Sequence, residues 1–173
     1  MLDESAGGAL HKMKRVEGGM AKESTKPDYP HSVHRQVCLH ETDAFGHANN
    51  VTYFKYLEVA RFEFMKEAGL FDPNDILSCN YILAHAECDY RRISRYNDVM
   101  VIYSRVAVIG KGSFTLDHLL VNERTGATAA TGKVVMVSYD HGEARTRPIS
   151  DAERRLLDAY RGNVREGADA PGL

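Results

Sequence analysis

The feature that most constrains the fold is the segment from residue 81 to residue 140, in which four strand-like runs follow one another with short connections. The runs are YILAHAECDY, NDVMVIYSRVAVIG, KGSFTLDHLLVNERTG and ATAATGKVVMVSYD, all rich in β-branched, aliphatic and aromatic residues. Turn-forming residues separate them in segments 95–98, 110–112 and 124–126. Because a parallel crossover needs about a dozen residues or more, these short connections predict antiparallel neighbours.

Two further elements flank these four strands. In HSVHRQVCLHE, Val33, Val37 and Leu39 alternate with polar residues, which predicts a first strand. SDAERRLLDAYRG predicts a short closing helix, because Ser150 as N-cap and Glu153 three residues later form a capping box. The sequence therefore predicts five strands in all and a helix after the last of them.

Residues 51–70, VTYFKYLEVARFEFMKEAGL, predict a long helix of about five turns. Asn49 or Asn50 is the expected N-cap, and Gly69 lies at the C-terminal end. One long helix beside five antiparallel strands predicts an α+β architecture, in which the helix covers one face of the sheet. The strand over residues 99–109 is apolar on both faces. Because the helix covers only one face, we expect a second copy of the chain to cover the rest, in a homodimer or homotetramer.

Length and composition indicate a single globular domain. We expect it to span residues 31–163, with a flexible tail over 1–30 that lacks the apolar segment of a secretory signal, and a loose tail over 164–173. No apolar run approaches the ~18 residues needed to cross a bilayer, so we expect no membrane association. The 22 Lys and Arg against 24 Asp and Glu give a net charge of -2, which excludes the basic surface typical of duplex-binding proteins. Three cysteines without CxxC spacing predict free thiols and a cytoplasmic protein.

The segment directly before the long helix, DAFGHANN at residues 43–50, indicates a catalytic site. Gly46 allows a tight turn and leaves room for a ligand to approach. Backbone amides at the helix start, around Asn50 and Val51, lack helical acceptors and carry partial positive charge, which suits the oxyanion of an attacked carbonyl. The Asp43 carboxylate could attack that carbonyl or activate water. The alternative is ordinary turn and capping chemistry, which Asp and Asn often perform.

His47 in the same turn is either part of that site or a surface residue. A metal site formed by His40, Asp43 and His47 would lack the spacing of an HExxH or EF-hand motif. We therefore expect no metal and no cofactor.

Glu58 lies in an apolar part of the long helix. At about 100° per residue, the apolar residues within about 40° of it are Val51, Phe54, Phe62 and Met65. A buried carboxylate without a partner is costly, so Glu58 either forms an ion pair with Arg61 at the rim or faces a pocket for acid–base work.

Residues 43–61, D-A-F-G-H-A-N-N-V-x-Y-F-x-Y-L-E-x-A-R, closely resemble the 4-hydroxybenzoyl-CoA thioesterase family of hot-dog acyl-CoA thioesterases, in particular members with the motif D-x-x-G-H-x-N-N. Residues 89–140 are also similar, so that the resemblance covers roughly residues 32–149. It implies a hot-dog fold, with a long central helix wrapped by an antiparallel sheet of five or more strands. It also implies dimers or tetramers with active sites between subunits.

The resemblance further implies roles for individual residues. Asp43 matches the catalytic aspartate, as nucleophile or general base, and the amides near Asn50 and Val51 match the oxyanion hole. Glu58 matches the helix carboxylate that is catalytic in some branches, and it would position water or the Asn50 and His47 side chains. Coenzyme A, as part of the substrate, would meet basic residues, of which the best candidates are Arg91, Arg92 and Lys111.

Three other functions fit a hot-dog protein. A hydratase would need a proline-containing turn that DAFGH lacks. An acyl-carrier-protein thioesterase would need a basic docking patch, for which only RRISR at residues 91–95 is available. A non-catalytic acyl-CoA-binding protein would bind CoA without turnover. The predicted function is therefore hydrolysis of an acyl-CoA thioester.

Overall fold

The computed structural model describes residues 28–162. Its elements are β1 (His31–Gln36), α1 (Asn50–Glu67), β2 (Tyr81–Tyr90), β3 (Val99–Ile109), β4 (Ser113–Asn122), β5 (Thr128–Asp140), β6 (Arg145–Thr146) and α2 (Asp151–Asp158). Short 3-10 turns cover Leu39–Glu41 and Ile76–Ser78. The tails expected over 1–30 and 164–173 lie outside the described residues, apart from residues 28–30.

The strands form one antiparallel sheet in the order β1-β3-β4-β5-β2, with β6 paired to the end of β5. The hairpins β3–β4 and β4–β5 confirm that two of the short connections join antiparallel neighbours. The same prediction is wrong for the connection between β2 and β3, because β2 pairs with β5 and lies at the edge of the sheet away from β3. β1 and β2 lie at opposite edges of this order. The sequence did not predict β6, because a strand of two residues carries no periodic pattern.

Helix α1 packs against one face of the sheet, and this interface is the hydrophobic core. The completely buried side chains include Phe64 and Met65 of the helix and Leu116 and Leu120 of β4. A Cβ atom added at Gly132 of β5 would lie 2.7 Å from Leu57 Cδ2, so the absence of a side chain there lets the helix approach the sheet closely. These contacts confirm the predicted α+β architecture.

The helix ends differ slightly from the prediction. α1 begins at Asn50 and ends at Glu67, and Gly69 follows with a φ of 71°, the left-handed conformation that glycine adopts without strain. In α2 the Ser150 hydroxyl accepts from the Glu153 amide and the Glu153 carboxylate accepts from the Ser150 amide, which confirms the capping box.

The predicted first strand is too long at its C-terminal end. β1 ends at Gln36, and Leu39 is 70% exposed within a 3-10 turn rather than beside Val33 and Val37. The Glu41 carboxylate accepts the Cys38 amide (2.8 Å) and thereby closes this turn, which redirects the chain toward α1. Within residues 28–162 no helix is long and apolar enough to cross a membrane.

Candidate active site

The turn before α1 is fixed by its own backbone and by the segment after β2. The Asp43 amide donates to the His47 carbonyl oxygen (2.7 Å), and the Gly46 amide donates to the Asp43 carbonyl oxygen (3.0 Å). Gly46 has a φ of 73°, which confirms the tight turn predicted there. The Ala48 amide donates to the Ser94 carbonyl oxygen (2.8 Å), so the turn is anchored to the connection between β2 and β3.

Asp43 lies in the wall of a cavity at the N-terminal end of α1. Its side chain is half-buried, and Oδ1 accepts the amides of Phe45 (2.8 Å) and His47 (3.1 Å). Oδ2 accepts no hydrogen bond from residues 28–162. The cavity has a volume of about 350 Å³ and is lined by Asp43, His47, Ala48, Asn50, Tyr53, Tyr90, Arg91, Arg92 and Ile93. It therefore brings together five of the residues that the sequence singled out: Asp43, His47, Asn50, Arg91 and Arg92. We call it the active-site cavity.

The first amides of α1 differ in what they are bonded to. Asn49 is the N-cap, and its side-chain oxygen accepts the Val51 amide (3.0 Å). The Asn50 amide has no acceptor among residues 28–162. The Val51 amide is thus used within the helix cap, and the Asn50 amide is the unbonded one at the positive end of the helix dipole.

Two tyrosines form an aromatic wall of the active-site cavity. The rings of Tyr53 and Tyr90 meet edge to face, with centroids 5.2 Å apart. The Tyr53 hydroxyl donates to Ser94 Oγ (3.1 Å) and the Tyr90 hydroxyl donates to the Asn50 carbonyl oxygen (3.2 Å). Sequence reasoning missed both residues. For Tyr53 its place in the first turn of the helix was an available signal, whereas the position of Tyr90 depends on how β2 pairs with β5.

Glu41 is a further residue that the sequence analysis missed, and it connects the 3-10 turn to α1. Its carboxylate accepts the Tyr56 hydroxyl (2.9 Å) as well as the Cys38 amide, and its carbonyl oxygen accepts the Asn49 amide (2.8 Å). Burial, followed by the hydrogen bond to Glu41, raises the pKa of Tyr56. Glu41 thus holds the strand end, the Asp43 turn and the N-cap of α1 in fixed positions.

Glu58 does not line the active-site cavity. The prediction that it lies in an apolar environment is wrong for the single chain. Its side chain is 55% exposed and Oε1 accepts Arg61 Nη2 at 2.9 Å, which is the rim ion pair considered above. Its neighbours Val51 and Phe54 are also exposed, because the buried face of α1 is centred near Leu57 and Phe64. That face is rotated by about a third of a turn from Glu58.

Lys111 lies at the opposite end of the sheet from Arg91 and Arg92. It occupies the β3–β4 turn, where its carbonyl oxygen accepts the Ile149 amide (2.8 Å). Arg91 and Arg92 follow β2, and both of their amides donate to the Ala129 carbonyl oxygen (2.8 and 3.0 Å). The expected set of three CoA-binding cations is therefore divided within one chain.

The His47 side chain is half-buried and lines the active-site cavity, while its backbone pairs with Asp43 and Arg95. Among residues 28–162, no three or more His, Cys, Asp and Glu side chains lie close enough together to hold a metal ion. The Asp43 carboxylate and the His47 imidazole can form hydrogen bonds and exchange protons with a ligand in the cavity.

Comparison with known proteins gives a consistent assignment. Residues 37–157 match the model of the thioesterase-like superfamily. YsmA of Bacillus subtilis is 34% identical over 122 residues, which cover 70% of this chain and 80% of YsmA. FadM of Escherichia coli, named a long-chain acyl-CoA thioesterase, is 23% identical over 116 residues, covering 67% of this chain and 88% of FadM.

The fold is shared with solved thioesterase structures. A thioesterase of Thermus thermophilus, solved with coenzyme A and Zn, superposes with a TM-score of 0.68 and 26% identity, covering 78% of this chain and 96% of that one. The central helix with its curled antiparallel sheet is the hot-dog fold of these proteins. Because the family model matches residues 37–157 and the fold is that of solved thioesterases, this chain belongs to the thioesterase-like superfamily of hot-dog proteins.

Proposed function

We propose that the protein hydrolyses an acyl-CoA thioester to a free acid and coenzyme A in the active-site cavity. The observation that carries this proposal is that two residues line the same cavity at the start of α1: Asp43, whose Oδ2 accepts no hydrogen bond from residues 28–162, and Asn50, whose backbone amide has no acceptor there. A carboxylate and a preorganised donor on one cavity are the two groups that acyl transfer to water requires.

The proposed reaction places the thioester carbonyl between these two groups. The Asn50 amide donates to the carbonyl oxygen, and the helix dipole stabilises the negative charge that develops there. Asp43 Oδ2 either removes a proton from the attacking water or attacks the carbonyl carbon itself, giving an anhydride that water then hydrolyses. The C–S bond breaks and the thiolate leaves with a pKa near that of cysteine, ~8.5, so no metal is needed to activate the leaving group.

The choice of CoA as the carrier has separate support. FadM is named an acyl-CoA thioesterase, and the Thermus thermophilus thioesterase was solved with coenzyme A. Arg91 and Arg92 line the active-site cavity and are exposed. Arg91 Nη2 lies 3.5 Å from Asp89, whereas Arg92 forms no ion pair within residues 28–162, so the Arg92 guanidinium is available to phosphates.

We also propose that a second copy of the chain completes the site. β2 is an edge strand of ten residues, and it exposes Ile82, Leu83 and Tyr90. Antiparallel pairing of β2 with its own copy would place the Tyr81 end of one strand beside the Tyr90 end of the other. The end of the partner's sheet that carries Lys111 would then lie next to the active-site cavity, and the exposed Glu58 face of α1 would also be near the interface.

Replacement of Asp43 by asparagine tests the hydrolase proposal. Asn keeps the side-chain oxygen that caps the turn but cannot act as base or nucleophile. We therefore expect CoA release, measured with a thiol dye, to fall by about 10²-fold or more without loss of folding. Asp75→Asn is the matched control, because Asp75 likewise accepts an amide two residues later (Leu77, 3.1 Å) but lies far from the cavity in the Ile76–Ser78 turn. Activity of the Asp43→Asn variant equal to that of the control contradicts the proposal.

A further inference from the structure

A second cavity opens beside the active-site cavity. It has a volume of about 500 Å³, and it shares Arg92 and Ile93 with the active-site cavity. Its charged lining consists of Arg92, Arg95, Arg124 and Asp98. We call it the arginine cavity. Ile93, which is 56% exposed, lines both cavities and is an apolar residue that they share.

The arginine cavity has an excess of positive charge, since three guanidinium groups face one carboxylate. Asp98 is largely buried, and its two oxygens accept the Arg95 amide (2.9 Å) and Arg124 Nη2 (3.2 Å). Although burial opposes ionisation, these hydrogen bonds hold the pKa of Asp98 below its usual value. Asp98 is thus a fixed anion that orients the loop, and it cannot neutralise Arg92 and Arg95 as well.

The guanidinium groups of the arginine cavity are available to a ligand. Arg92 and Arg95 are exposed and their side chains form no ion pair within residues 28–162. Arg124 has a side chain that is 76% exposed, and only Nη2 of its guanidinium is used by Asp98. Guanidinium groups with several free N–H donors match the oxygens of phosphate groups.

The larger cavity of about 1020 Å³ on the outer face of the sheet is a poorer anion site. Its lining carries as many carboxylates as cations, and two of its three cations are paired: Lys133 Nζ lies 3.2 Å from Glu87 and Arg91 Nη2 lies 3.5 Å from Asp89. The third cation, Arg92, also lines the arginine cavity. Of the two cavities that adjoin the active-site cavity, only the arginine cavity therefore combines a concave shape with an excess of unpaired cations.

We infer that the arginine cavity binds the phosphate groups of the nucleotide end of the substrate. This inference rests on the proposed hydrolysis of an acyl-CoA. With the thioester at Asp43 and Asn50, the pantetheine arm would pass over Ile93 and deliver the 3′-phosphate and diphosphate to Arg92, Arg95 and Arg124. Arg95 and Arg124 thereby join the cations expected to hold CoA, and they recognise the carrier rather than the acyl group.

Calorimetric titration of the full chain with adenosine 3′,5′-bisphosphate tests the site without hydrolysis. We expect binding that Arg95→Gln and Arg124→Gln each weaken on the order of five- to tenfold, because each change removes charge-assisted hydrogen bonds to phosphate. Arg155→Gln is the matched control, since Arg155 is an exposed arginine of α2 that lines none of the three cavities. Absence of binding, or equal weakening by the control and the two variants, overturns the inference.

Kinetics separate this inference from the proposed function. The CoA and pantetheine thioesters of one acyl chain, chosen as the fastest substrate in a panel, differ only in the nucleotide. We expect the ratio of their kcat/KM values to fall on the order of five- to tenfold in Arg95→Gln and Arg124→Gln, through KM for the CoA thioester. An unchanged ratio overturns the arginine site while hydrolysis stands, whereas no hydrolysis of either thioester contradicts the proposed function. If Arg95→Gln and Arg124→Gln reduce only the hydrolysis of an acyl-carrier-protein thioester, these arginines bind the carrier protein. That result would also overturn the inference that the arginine cavity binds the nucleotide of CoA.

Discussion

The two oxygens of the Asp43 carboxylate have different surroundings. Oδ1 is a turn cap that accepts two backbone amides, and Oδ2 accepts none from residues 28–162. The capping role and the catalytic role, which the sequence presents as alternatives, are therefore compatible in one side chain. The turn holds the carboxylate in place through one oxygen, and the other oxygen is left for chemistry.

The capping role predicts how stability responds at position 43. Asp43→Ala removes the acceptor of two amides, so we expect the free energy of unfolding to fall by about 1–2 kcal/mol. Asp43→Asn keeps an acceptor and should lose much less. Urea denaturation of both variants measures the difference, and equal stability of the two would show that Oδ1 contributes nothing to the turn.

Glu41 has a positioning role that can be tested through Tyr56. Tyr56→Phe removes the hydroxyl that donates to Glu41, and the Glu41 carboxylate keeps the Cys38 amide. We expect a moderate decrease in kcat, about tenfold, with little change in KM, because a shift of the Asp43 turn disturbs the reacting geometry more than substrate binding. Steady-state kinetics with one acyl-CoA measures both constants. A change confined to KM would show that Tyr56 acts on binding and not on the geometry of the turn.

At the scale of elements, the contact of α1 with β5 sets the position of the helix start. Gly132 is the closest point, since an added Cβ would lie 2.7 and 2.9 Å from the two methyl groups of Leu57, a completely buried residue. A helix displaced from the sheet at this point would also displace the Asn50 amide from the active-site cavity.

We expect Gly132→Ala to destabilise the fold by about 1–3 kcal/mol through overpacking. Shortening Leu57 to Ala in the same chain should remove the clash, so that the two changes together cost less than the sum of their separate effects. Gly142→Ala is the control, because a Cβ there meets only the Asp140 carboxylate at an ordinary 3.4 Å. Additive effects in denaturation experiments would refute a direct contact between residues 57 and 132.

At the scale of the whole molecule, a neutral histidine lies in the core beneath the helix. His118 is 1% exposed, and its Nδ1 lies 2.9 Å from Ser104 Oγ, while Nε2 has no partner among residues 28–162. Burial first, and then the charges of His31 and Arg61, lower the pKa of His118 to about 3. Burial is also the main reason that the pKa of the neighbouring His31 is lowered.

This lowered pKa predicts an acid-sensitive fold. In the unfolded chain the pKa of His118 is about 6.5, so below this pH the unfolded chain binds a proton at His118 and the folded chain does not. The free energy of unfolding therefore falls as the pH decreases from about 6.5 toward about 3. The expected slope from this group is about 1.4 kcal/mol per pH unit. Glu153 contributes a further loss of stability at lower pH. Burial raises its pKa, but the hydrogen bonds from Arg147 and Ser150 outweigh burial and lower the pKa of Glu153 to about 2. Urea denaturation between pH 7 and pH 4 should show a shallower slope for His118→Gln, and identical slopes would refute the assignment.

Sequence reasoning reached the architecture because its signals are local. The short connections of β3–β4 and β4–β5 fix antiparallel neighbours, and Ser150 with Glu153 marks a helix start without any tertiary information. The connection from β2 to β3 does not join neighbours, because β2 pairs with β5, which a local signal does not show. The environment of Glu58 was not predictable in this way, since α1 carries apolar residues around much of its circumference and only packing decides which face is buried. The separation of Lys111 from Arg91 follows from the pairing of strands that are distant in sequence, and a single sequence does not show which strands pair.

The most direct measurement is a crystal structure of the protein with a non-hydrolysable acyl-CoA analogue that keeps the carbonyl group. We expect the carbonyl oxygen to lie ~2.7–3.1 Å from the Asn50 amide nitrogen, with the carbonyl carbon facing Asp43 and the phosphates at Arg95 and Arg124. An analogue bound with its carbonyl away from both Asp43 and Asn50 would contradict the proposed catalytic roles of these two residues.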